Sequence, residues 1–573
     1  MLAKLTASKP VIGLRQPLLA AVIVFALALP AFAVLQARDG HDYAISKAEA
    51  TQIALADHDV GVLLRRHHVT GSTVTPLDGD EQRVTFFDGP RTILDAAVSS
   101  RRVTQIADKP EGAPESGSRI ANNGLVLTLL TALFVLATLS LPLRSLQNLD
   151  VLAMASFVVP VVLLNENLVL ASVLTSYPQL IYLAARCMGV GLGLAGRQPA
   201  GGSSLLWHLT GDWERGQRLR LARYLVLAAA AVIAMVVYSS SGFTDVALAG
   251  VSGANDLLHG IAPYGHMPDY IFHGDTYPLL NYILYMPGVL LIPYIDALSD
   301  PSGALIVAGA AVLLAAWGLR RIGTRMAQRQ DDEGATGEDA SFAGLRIALA
   351  WLTFPPVILA ASGGSNDPIV AAFLVASFAF FFRPALSAFL LGVAAWVKVL
   401  PLLALPIWLA RMSGRAALRA LSAFAVFSAV LVGWLLILGG PDAVTGMLDG
   451  LAFQIQRGSL HSLWLGLGLT ALQPIAIAAL LAAIVAATVA VRRDVELRGD
   501  LRRMAALFAG VMLVAQIAAN YWTWAYLPWA LVPLLLSLLA PNVLAPAPAS
   551  AVQERREVPV DQLVPGQQAN QPA

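Results

Sequence analysis

The stretch YLVLAAAAVIAMVVYSSSGFTDVALAG (residues 224–250) decides how this chain is read, because an apolar run passes directly into a polar segment. No Lys or Arg occurs from residue 224 to residue 318, while residues 241–300 carry acidic, histidine and aromatic side chains. Lys and Arg are retained on the cytoplasmic side of membranes, so a long loop that lacks them is expected on the other side. The pattern predicts chemistry on an extracytoplasmic substrate.

The composition is that of a membrane protein. The 573 residues are 57% hydrophobic and 13% charged, whereas soluble domains carry about 25% charged residues. This indicates an all-α polytopic membrane protein, with the lipid bilayer as its surroundings. The net charge of +1 gives no reason to expect a nucleic-acid partner. Cys187 is the only cysteine, which excludes an intramolecular disulfide and a Cys-based metal cluster.

The N-terminal part predicts an anchor followed by a small extracytoplasmic domain. Residues 1–35 form the anchor, with the N terminus in the cytoplasm; Ala31-Phe32-Ala33 leaves cleavage by signal peptidase open. In residues 36–123, Ser46 and Glu49 predict a capped helix, and residues 83–87, 92–98 and 103–106 predict three strands. This helix and meander resemble a PepSY-like module; a generic small α+β domain is the alternative.

The remaining chain predicts about 14 membrane segments, counted with the anchor, that leave nearly every Lys/Arg cluster inside. Residues 124–223 form accessory transmembrane hairpins and a cytoplasmic loop, residues 224–540 a catalytic transmembrane domain, and residues 541–573 a disordered cytoplasmic tail. The individual spans are predicted at residues 124–143, 151–164, 168–183, 225–238, 304–319, 347–361, 369–382, 417–438, 470–491, 504–519 and 526–539, with 439–468 as an outer loop.

Two apolar segments are predicted not to span. Residues 277–295 could cross, but this would leave four arginines (residues 320–329) outside, so we predict a membrane-surface or re-entrant helix broken by Pro278, Pro287 and Pro293. Residues 386–409 are too short for two spans and predict a tight hairpin of short helices that contains Lys398.

Asp245 is the leading catalytic candidate, because it stands just past the end of a predicted span. The alternative for this residue by itself is a solvated helix-end carboxylate. The other polar residues of its loop give weaker signals: His259, His266 and His273 are seven residues apart with Pro and Gly between them. No usable nucleotide, hydrolase or zinc-protease motif occurs. We therefore predict no metal ligands and no required cofactor, with a divalent cation left open.

Four motifs resemble the GT-C superfamily of membrane glycosyltransferases, and most nearly family 87 and its polyprenyl-phosphate-sugar-using relatives. They are HGIAPYG (259–265), DTYPLLNYILYMP (275–287), GGSND (363–367) and LGVAAWVKVLP (391–401). Ser365 stands where the relatives have Gln. The resemblance covers residues 220–540 and implies a first outer loop that carries the catalytic Asp and surface helices.

The resemblance implies that Asp245 is the general base for one inverting displacement at the sugar. A base must take the acceptor hydroxyl proton, and cations must hold the departing phosphate. Arg457 is the only Lys or Arg in residues 439–468, and His461 follows four residues on. The residues predicted to bind the donor phosphate and lipid are Arg457, Lys398, His461 and His266. Those predicted to bind substrate are Tyr264, Asp275, Tyr277, Asn366, Asp367, Trp522 and Trp524.

Lys398 has a second interpretation. A charge within a membrane hairpin costs roughly 2.5–3.5 kcal/mol on insertion scales, so it is expected to bind the lipid phosphate or to pair with Asp367. For Trp522 and Trp524, an ordinary interfacial aromatic belt is the alternative.

Together these observations predict a GT-C-like enzyme of the bacterial plasma membrane with an outward-facing site. It would move a hexose or pentose, mannose as the first guess, from polyprenyl phosphate to an envelope glycan or glycolipid. The alternatives are a lipid-linked glycan flippase or transporter, a glycan polymerase or ligase, and an inactive scaffold. Transporter sites lie near the membrane midplane, whereas the ionisable residues here concentrate at one face.

Overall fold

The computed structural model describes most of the chain. The described residues are 45–65, 68–76, 82–88, 91–98, 102–108, 123–165, 169–194, 205–210, 213–240, 243–268, 271, 274–295, 300–330, 337–456 and 462–543. The predicted anchor and nearly all of the predicted tail lie outside them, as do Arg457, His461 and His273.

A small α+β unit stands near the N terminus. It contains the helices α1 (Lys47–Ala56) and α2 (His58–Leu64) and the strands β1 (Gly71–Pro76), β2 (Gln82–Asp88), β3 (Arg91–Val98) and β4 (Val103–Asp108). The four strands form one antiparallel meander in sequence order. Ser46 and Glu49 form the predicted capping box. The predicted helix and three strands are confirmed, while β1 and α2 are additions.

The rest of the described chain is helical. The helices before residue 300 are α3 (Gly124–Thr138), α4 (Leu146–Ala155), α5 (Val158–Asn165), α6 (Val169–Gly191), α7 (Leu205–Leu209), α8 (Arg215–Tyr238), α9 (Asp245–Leu258) and α10 (Leu279–Leu291). Those that follow are α11 (Ser302–Gln330), α12 (Gly337–Thr353), α13 (Pro355–Ser362), α14 (Asp367–Ala379), α15 (Pro384–Ala395), α16 (Leu405–Ala410), α17 (Gly414–Gln456), α18 (Leu463–Gly466), α19 (Gln473–Arg493), α20 (Val495–Gly499), α21 (Leu501–Ala518), α22 (Leu527–Leu534) and α23 (Ala540–Val543).

Several helices have the length and composition of membrane spans. Within the described residues there are 6 such helices, or up to 7 if the bent pair α12 and α13 forms one span. Six shorter apolar helical segments accompany them: Gly124–Thr138, Leu279–Leu291, Asp367–Ala379, Pro384–Ala395, Leu400–Ala410 and Trp524–Leu539. The described chain is thus mostly helical and has several helices suited to a membrane. The predicted number of about 14 membrane segments is not confirmed.

The segment predicted to lie on or re-enter the membrane is shorter than a span. Its helix α10 has 13 residues, or about 20 Å at 1.5 Å per residue, against about 30 Å of hydrocarbon. Only part of the prediction about its prolines is right. Pro278 caps the helix and Pro293 follows its end, but Pro287 lies inside it without breaking it.

The segment predicted as a loop from residue 439 to residue 468 begins as a helix, which corrects that prediction. Helix α17 kinks at Gly439 and Gly440, where the backbone leaves helical geometry, and continues to Gln456. Gly440 has a φ of 65°, which glycine adopts without strain. Pro441 then restarts the helix at the position where a missing N–H costs nothing. We call residues 441–456 the distal arm of α17.

The segment 386–409 forms the predicted hairpin. Helix α15 runs to Ala395, a 3₁₀ turn covers Leu400–Ala404, and α16 returns from Leu405. The two arms are tied together because the indole N–H of Trp408 donates to Ser387 Oγ at 2.9 Å. Lys398 lies at the tip.

The helices before residue 224 share one hydrophobic core with the rest. That core runs from Leu127 to Leu539. Helix α6 packs closely on α21, where a Cβ on Gly191 would lie 2.5 Å from a methyl carbon of Leu507. Within the N-terminal helices, the fully buried Asp150 receives hydrogen bonds from Arg186 at 2.8 and 2.9 Å.

Candidate active site

Asp245 opens helix α9 and faces solvent. It is the first residue of the helix, and the preceding Thr244 is the N-cap, with its Oγ1 accepting from the backbone N–H of Ala247 at 3.2 Å. The Asp245 side chain is exposed, and among the described residues its one hydrogen bond is local, from the N–H of Val246 to Oδ1 at 2.9 Å. A carboxylate at this helix end is favoured by the helix dipole. It is therefore fixed in place and accessible to a reactant.

Thr244 joins this helix end to a turn over 100 residues away, residues 363–367, which we call the Gly-Gly turn. The backbone N–H and the hydroxyl of Thr244 both donate to the carbonyl oxygen of Gly363, at 3.0 and 2.9 Å. The contact requires glycine, because a Cβ at residue 363 would lie 2.8 Å from Thr244 Cγ2. The turn thus sets the position of the residue next to Asp245.

Helix α10 holds the same turn from another side. The side-chain amide of Asn366 donates to Asn281 Oδ1 at 2.7 Å, and both residues are fully buried. The hydroxyl of Tyr285 donates to the carbonyl oxygen of Gly364 at 2.8 Å. Gly364 has a φ of 68°, a conformation suited to glycine. Gly363, Gly364 and Asn366 are therefore each bonded to an element distant in sequence.

Asp367 joins the turn to the hairpin tip. Its Oδ1 accepts from Lys398 Nζ at 2.6 Å and from the indole N–H of Trp529 at 3.0 Å, while Oδ2 accepts from the hydroxyl of Ser365. Asp367 is 1% exposed, and the Lys398 ammonium also lies over the ring of Tyr526. Of the two interpretations open for Lys398, the structure shows the pair with Asp367. Both charges are neutralised locally.

A second group of predicted residues lies in the loop between α9 and α10 (residues 259–278). The buried Tyr264 donates its hydroxyl to the carbonyl oxygen of Tyr277 at 2.8 Å, and its ring meets that of Tyr282 edge-on. Burial of Tyr264 raises the pKa of its hydroxyl, and the negative charge of Asp275, which is half-buried nearby, raises it further. Tyr264 and Tyr277 thus hold the loop together.

The distal arm of α17 covers this loop through glycines. A Cβ at Gly446 would lie 3.0 Å from Tyr264 Cβ, and one at Gly450 would lie 2.7 Å from the carbonyl oxygen of Asp275. The side-chain amide of Gln454 donates to Thr276 Oγ1 at 2.6 Å. The arm therefore fixes the loop and ends next to residue 457.

His266 is exposed at the edge of the loop. Its Nδ1 lies 3.0 Å from the carbonyl oxygen of Ala262 and 3.2 Å from that of Tyr264. These acceptors place the ring proton on Nδ1 and direct Nε2 away from them.

Asp256, which sequence reasoning did not single out, is half-buried at the end of α9. Burial raises its pKa to about 6, and the charges of His266 and His259 oppose this rise. Its acidic side chain was visible in the sequence, but its burial is seen only in the folded chain.

The aromatic residues near position 522 divide into core and accessible members. Trp522 is 2% exposed, with its indole N–H donating to Gln516 Oε1 at 3.1 Å and its ring 5.9 Å from that of Tyr177. Trp524 is half-buried in a 3₁₀ turn that ends at Tyr526. Of the two predicted aromatic contacts, Trp524 is the more accessible.

The structure thus brings the predicted residues together in two groups. Asn366, Asp367 and Lys398 meet around the Gly-Gly turn, with Asp245 on the helix that the turn holds. Tyr264, His266, Asp275 and Tyr277 form the α9–α10 loop. Among the residues the structure describes, no group of three or more His, Cys, Asp or Glu side chains could hold a metal ion.

A family model for glycosyltransferase family 87 matches residues 276–516. The matched region is less than half of the chain and includes the Gly-Gly turn, the hairpin and residue 457, but starts after Asp245 and Asp275. The match supports a membrane glycosyltransferase of the GT-C type, with donor and acceptor substrates and embedding in the membrane. No curated protein is significantly similar to the chain.

Proposed function

We propose that this protein transfers a sugar from a polyprenyl-phosphate donor to a hydroxyl of an envelope glycan or glycolipid on the outer face of the bacterial plasma membrane. Mannose is the first candidate for the sugar. The match to family 87 supports glycosyl transfer, and the apolar helices support a lipid-linked donor that stays in the bilayer. The loop without Lys or Arg supports an outward-facing site.

Asp245 is the general base of the proposed reaction. The observation that carries this role is an exposed carboxylate whose helix end is bonded to the Gly-Gly turn. The carboxylate takes the proton of the acceptor hydroxyl, and the acceptor oxygen bonds to the anomeric carbon. The bond from that carbon to the phosphate oxygen breaks, and the phosphate leaves with the electron pair. One displacement of this kind inverts the anomeric configuration.

The departing phosphate requires positive charge. Arg457 and His461 are the proposed ligands, since the described distal arm of α17 ends one residue before Arg457. Lys398 contributes less net charge, because Asp367 already neutralises it. Lys398 is nevertheless proposed as a further ligand of the phosphate, next to Asp367.

The other predicted substrate residues differ in how they would act. Trp524, Asp275 and His266 are at least partly accessible and can contact sugar or phosphate directly. Tyr264, Tyr277, Asn366, Asp367 and Trp522 are buried, so they would act by shaping the walls of the site.

Sugar transfer by purified protein in lipid nanodiscs tests this proposal. Radiolabelled polyprenyl-phosphate-mannose and -arabinose serve as donors, with envelope lipid extract as the acceptor. Asp245→Asn is expected to lower transfer by about 10²–10⁴-fold, the usual contribution of a general base. Asp442→Asn is the matched control, because Asp442 is an exposed carboxylate on the distal arm. Unchanged transfer by Asp245→Asn would remove the residue from its role.

A further inference from the structure

A row of cationic side chains runs along the second half of helix α11. Trp317, Arg321, Arg325 and Arg329 follow one another at intervals of four residues, which makes successive members neighbours on the helix surface. All four side chains are exposed, and we call these residues the basic stripe. None of the three arginines forms an ion pair within the part of the chain that the structure describes. Their charges are therefore open to an anion from outside the described fold.

The basic stripe begins where the surface of α11 is apolar. Leu313 and Leu314 are 42% and 62% exposed, and Trp317 is 53% exposed. The helix is one of those long and apolar enough to cross a membrane, so exposed leucines on it suit lipid chains, and Trp is enriched at the level of the head groups. Arg321 lies about 6 Å beyond Trp317 at 1.5 Å per residue. The stripe thus leads from the level of the lipid chains to the level of the lipid phosphates.

Aromatic rings hold two of these arginines in place. The Arg321 guanidinium lies over the ring of Trp317, 4.0 Å from its centroid, and the Arg329 guanidinium lies over the ring of Phe382 at 3.7 Å. Phe382 is 54% exposed. Stacking occupies the face of a guanidinium, whereas its N–H donors lie in its plane, at the edge. The rings therefore orient the cations without covering the groups that bind an anion.

The turn between α14 and α15 adds positive charge at the end of the stripe. Arg383 follows Phe382 and is exposed. Arg411 lies over the ring of Phe381, 3.6 Å from its centroid, and donates to the carbonyl oxygen of the same residue at 2.9 Å. The rings of Phe381 and Phe382 meet edge-on with centroids 5.1 Å apart. Three separate elements thus bring cations to one aromatic turn.

The ligand class follows from this combination of charge and apolar surface. Arginines near a membrane surface attract anionic lipids, and a guanidinium binds phosphate oxygens in pairs. A free phosphate would use the arginines but not the exposed leucines and Trp317. A phospholipid with a negatively charged head group matches both parts of the surface.

We propose that the basic stripe, together with Phe382 and Arg383, is a binding site for an anionic phospholipid such as phosphatidylglycerol. The head-group phosphate accepts hydrogen bonds from the arginines, and the acyl chains lie along Leu313 and Leu314. The site uses neither Asp245 nor sugar transfer, so it is independent of the proposed function. The acidic residues 331–333 follow α11 in the sequence and lie outside the described residues. They are the competing anion within the chain, and the experiment includes them.

Site-resolved lipid exchange tests the proposal. Full-length protein is placed in nanodiscs with equal amounts of phosphatidylglycerol and phosphatidylcholine that have the same acyl chains. Bromine on the chains of one lipid at a time quenches nearby tryptophans, and the part due to Trp317 is the difference between wild type and Trp317→Phe. We expect phosphatidylglycerol to bind here at least about fivefold more tightly than phosphatidylcholine, the effect of about one cation at a lipid surface.

Charge variants identify the residues responsible, each measured with and without Trp317→Phe. Arg321→Gln/Arg325→Gln is expected to abolish the preference for phosphatidylglycerol. Arg492→Gln/Arg493→Gln is the matched control, because it removes the same charge from exposed arginines at the end of α19. The control is expected to keep the wild-type preference.

Several results would overturn the site. Equal quenching of Trp317 by both brominated lipids in the wild type would show no preference, and a preference that survives Arg321→Gln/Arg325→Gln would lie elsewhere. An equal loss in the control would indicate the general surface charge. Displacement of phosphatidylglycerol by millimolar inorganic phosphate at constant ionic strength would indicate a site for a free anion. A preference that appears only in Asp331→Asn/Asp332→Asn/Glu333→Gln would show that the chain's own acids occupy the arginines.

Discussion

Removing Lys398 should destabilise the protein more than removing both members of its ion pair. Lys398→Met leaves the Asp367 carboxylate 1% exposed and without its counter-charge. Breaking a buried pair from one side typically costs about 3–5 kcal/mol, so we expect a loss of this size. Asp367→Asn on the same background removes the stranded charge. The amide oxygen still accepts from Trp529, and Ser365 can accept from the new amide.

A double-mutant cycle measures the coupling free energy between Lys398 and Asp367. We expect Lys398→Met with Asp367→Asn to recover at least about 1.5 kcal/mol relative to the sum of the single changes, since contacting charged residues couple by about 0.5–3 kcal/mol. The free energy of unfolding is measured by steric trapping in bicelles. Asp494 and Arg503 form the control pair, which is 37% and 24% exposed and should couple by less than about 1 kcal/mol. Additive single effects at Lys398 and Asp367 would refute the reasoning.

The same variants separate two roles for Lys398. If its role is to hold the Gly-Gly turn, the double variant recovers sugar transfer together with stability. If the ammonium binds the donor phosphate, the double variant is stable but keeps a raised KM for the donor.

Three further predictions follow from single positions. Gly363→Ala should cost about 1–3 kcal/mol, the usual cost of overpacking, and lower kcat, because the new Cβ would lie 2.8 Å from Thr244 Cγ2; Gly189→Ala, with no atom within 4 Å, should do neither. Burial raises the pKa of Asp256 from 3.8 to about 6, so ionising it in the folded protein opposes stability increasingly as pH rises from 3.8 to about 6. Asp256→Asn should therefore raise the unfolding midpoint at pH 7.5 and much less at pH 4.5; an equal rise at both would contradict this. Arg457→Ala should raise the donor KM at least tenfold, and an unchanged KM would exclude it as a phosphate ligand.

Local signals in the sequence predicted the parts of the fold that depend on neighbouring residues. Ser46 and Glu49 gave the capped helix, because both partners of a capping box lie within one turn. The length of the segment 386–409 and the cations at both of its ends predicted the hairpin that contains Lys398. Strand β1 was missed because GSTVTP lacks the alternation of apolar residues that marks a half-buried strand. The distal arm of α17 was missed because Gly-Gly-Pro is normally a helix-ending signal.

The site depended on partners that are far apart in sequence, and these could not be read in advance. Asn366 was a candidate from its motif, but its partner Asn281 lies 85 residues away. The bond between Thr244 and Gly363 spans 119 residues. The burial of Asp256 Oδ2 is likewise a property of the folded chain that no local pattern predicts.

Two of the predicted phosphate ligands are connected to opposite ends of the helix that Asp245 begins. Lys398 contacts the Gly-Gly turn through Asp367, and the turn is bonded to Thr244 at the start of that helix. Arg457 follows the distal arm of α17, whose Gln454 is bonded to Thr276 in the loop that follows the same helix. Helix α9 therefore connects the proposed base to both elements that carry the proposed cations.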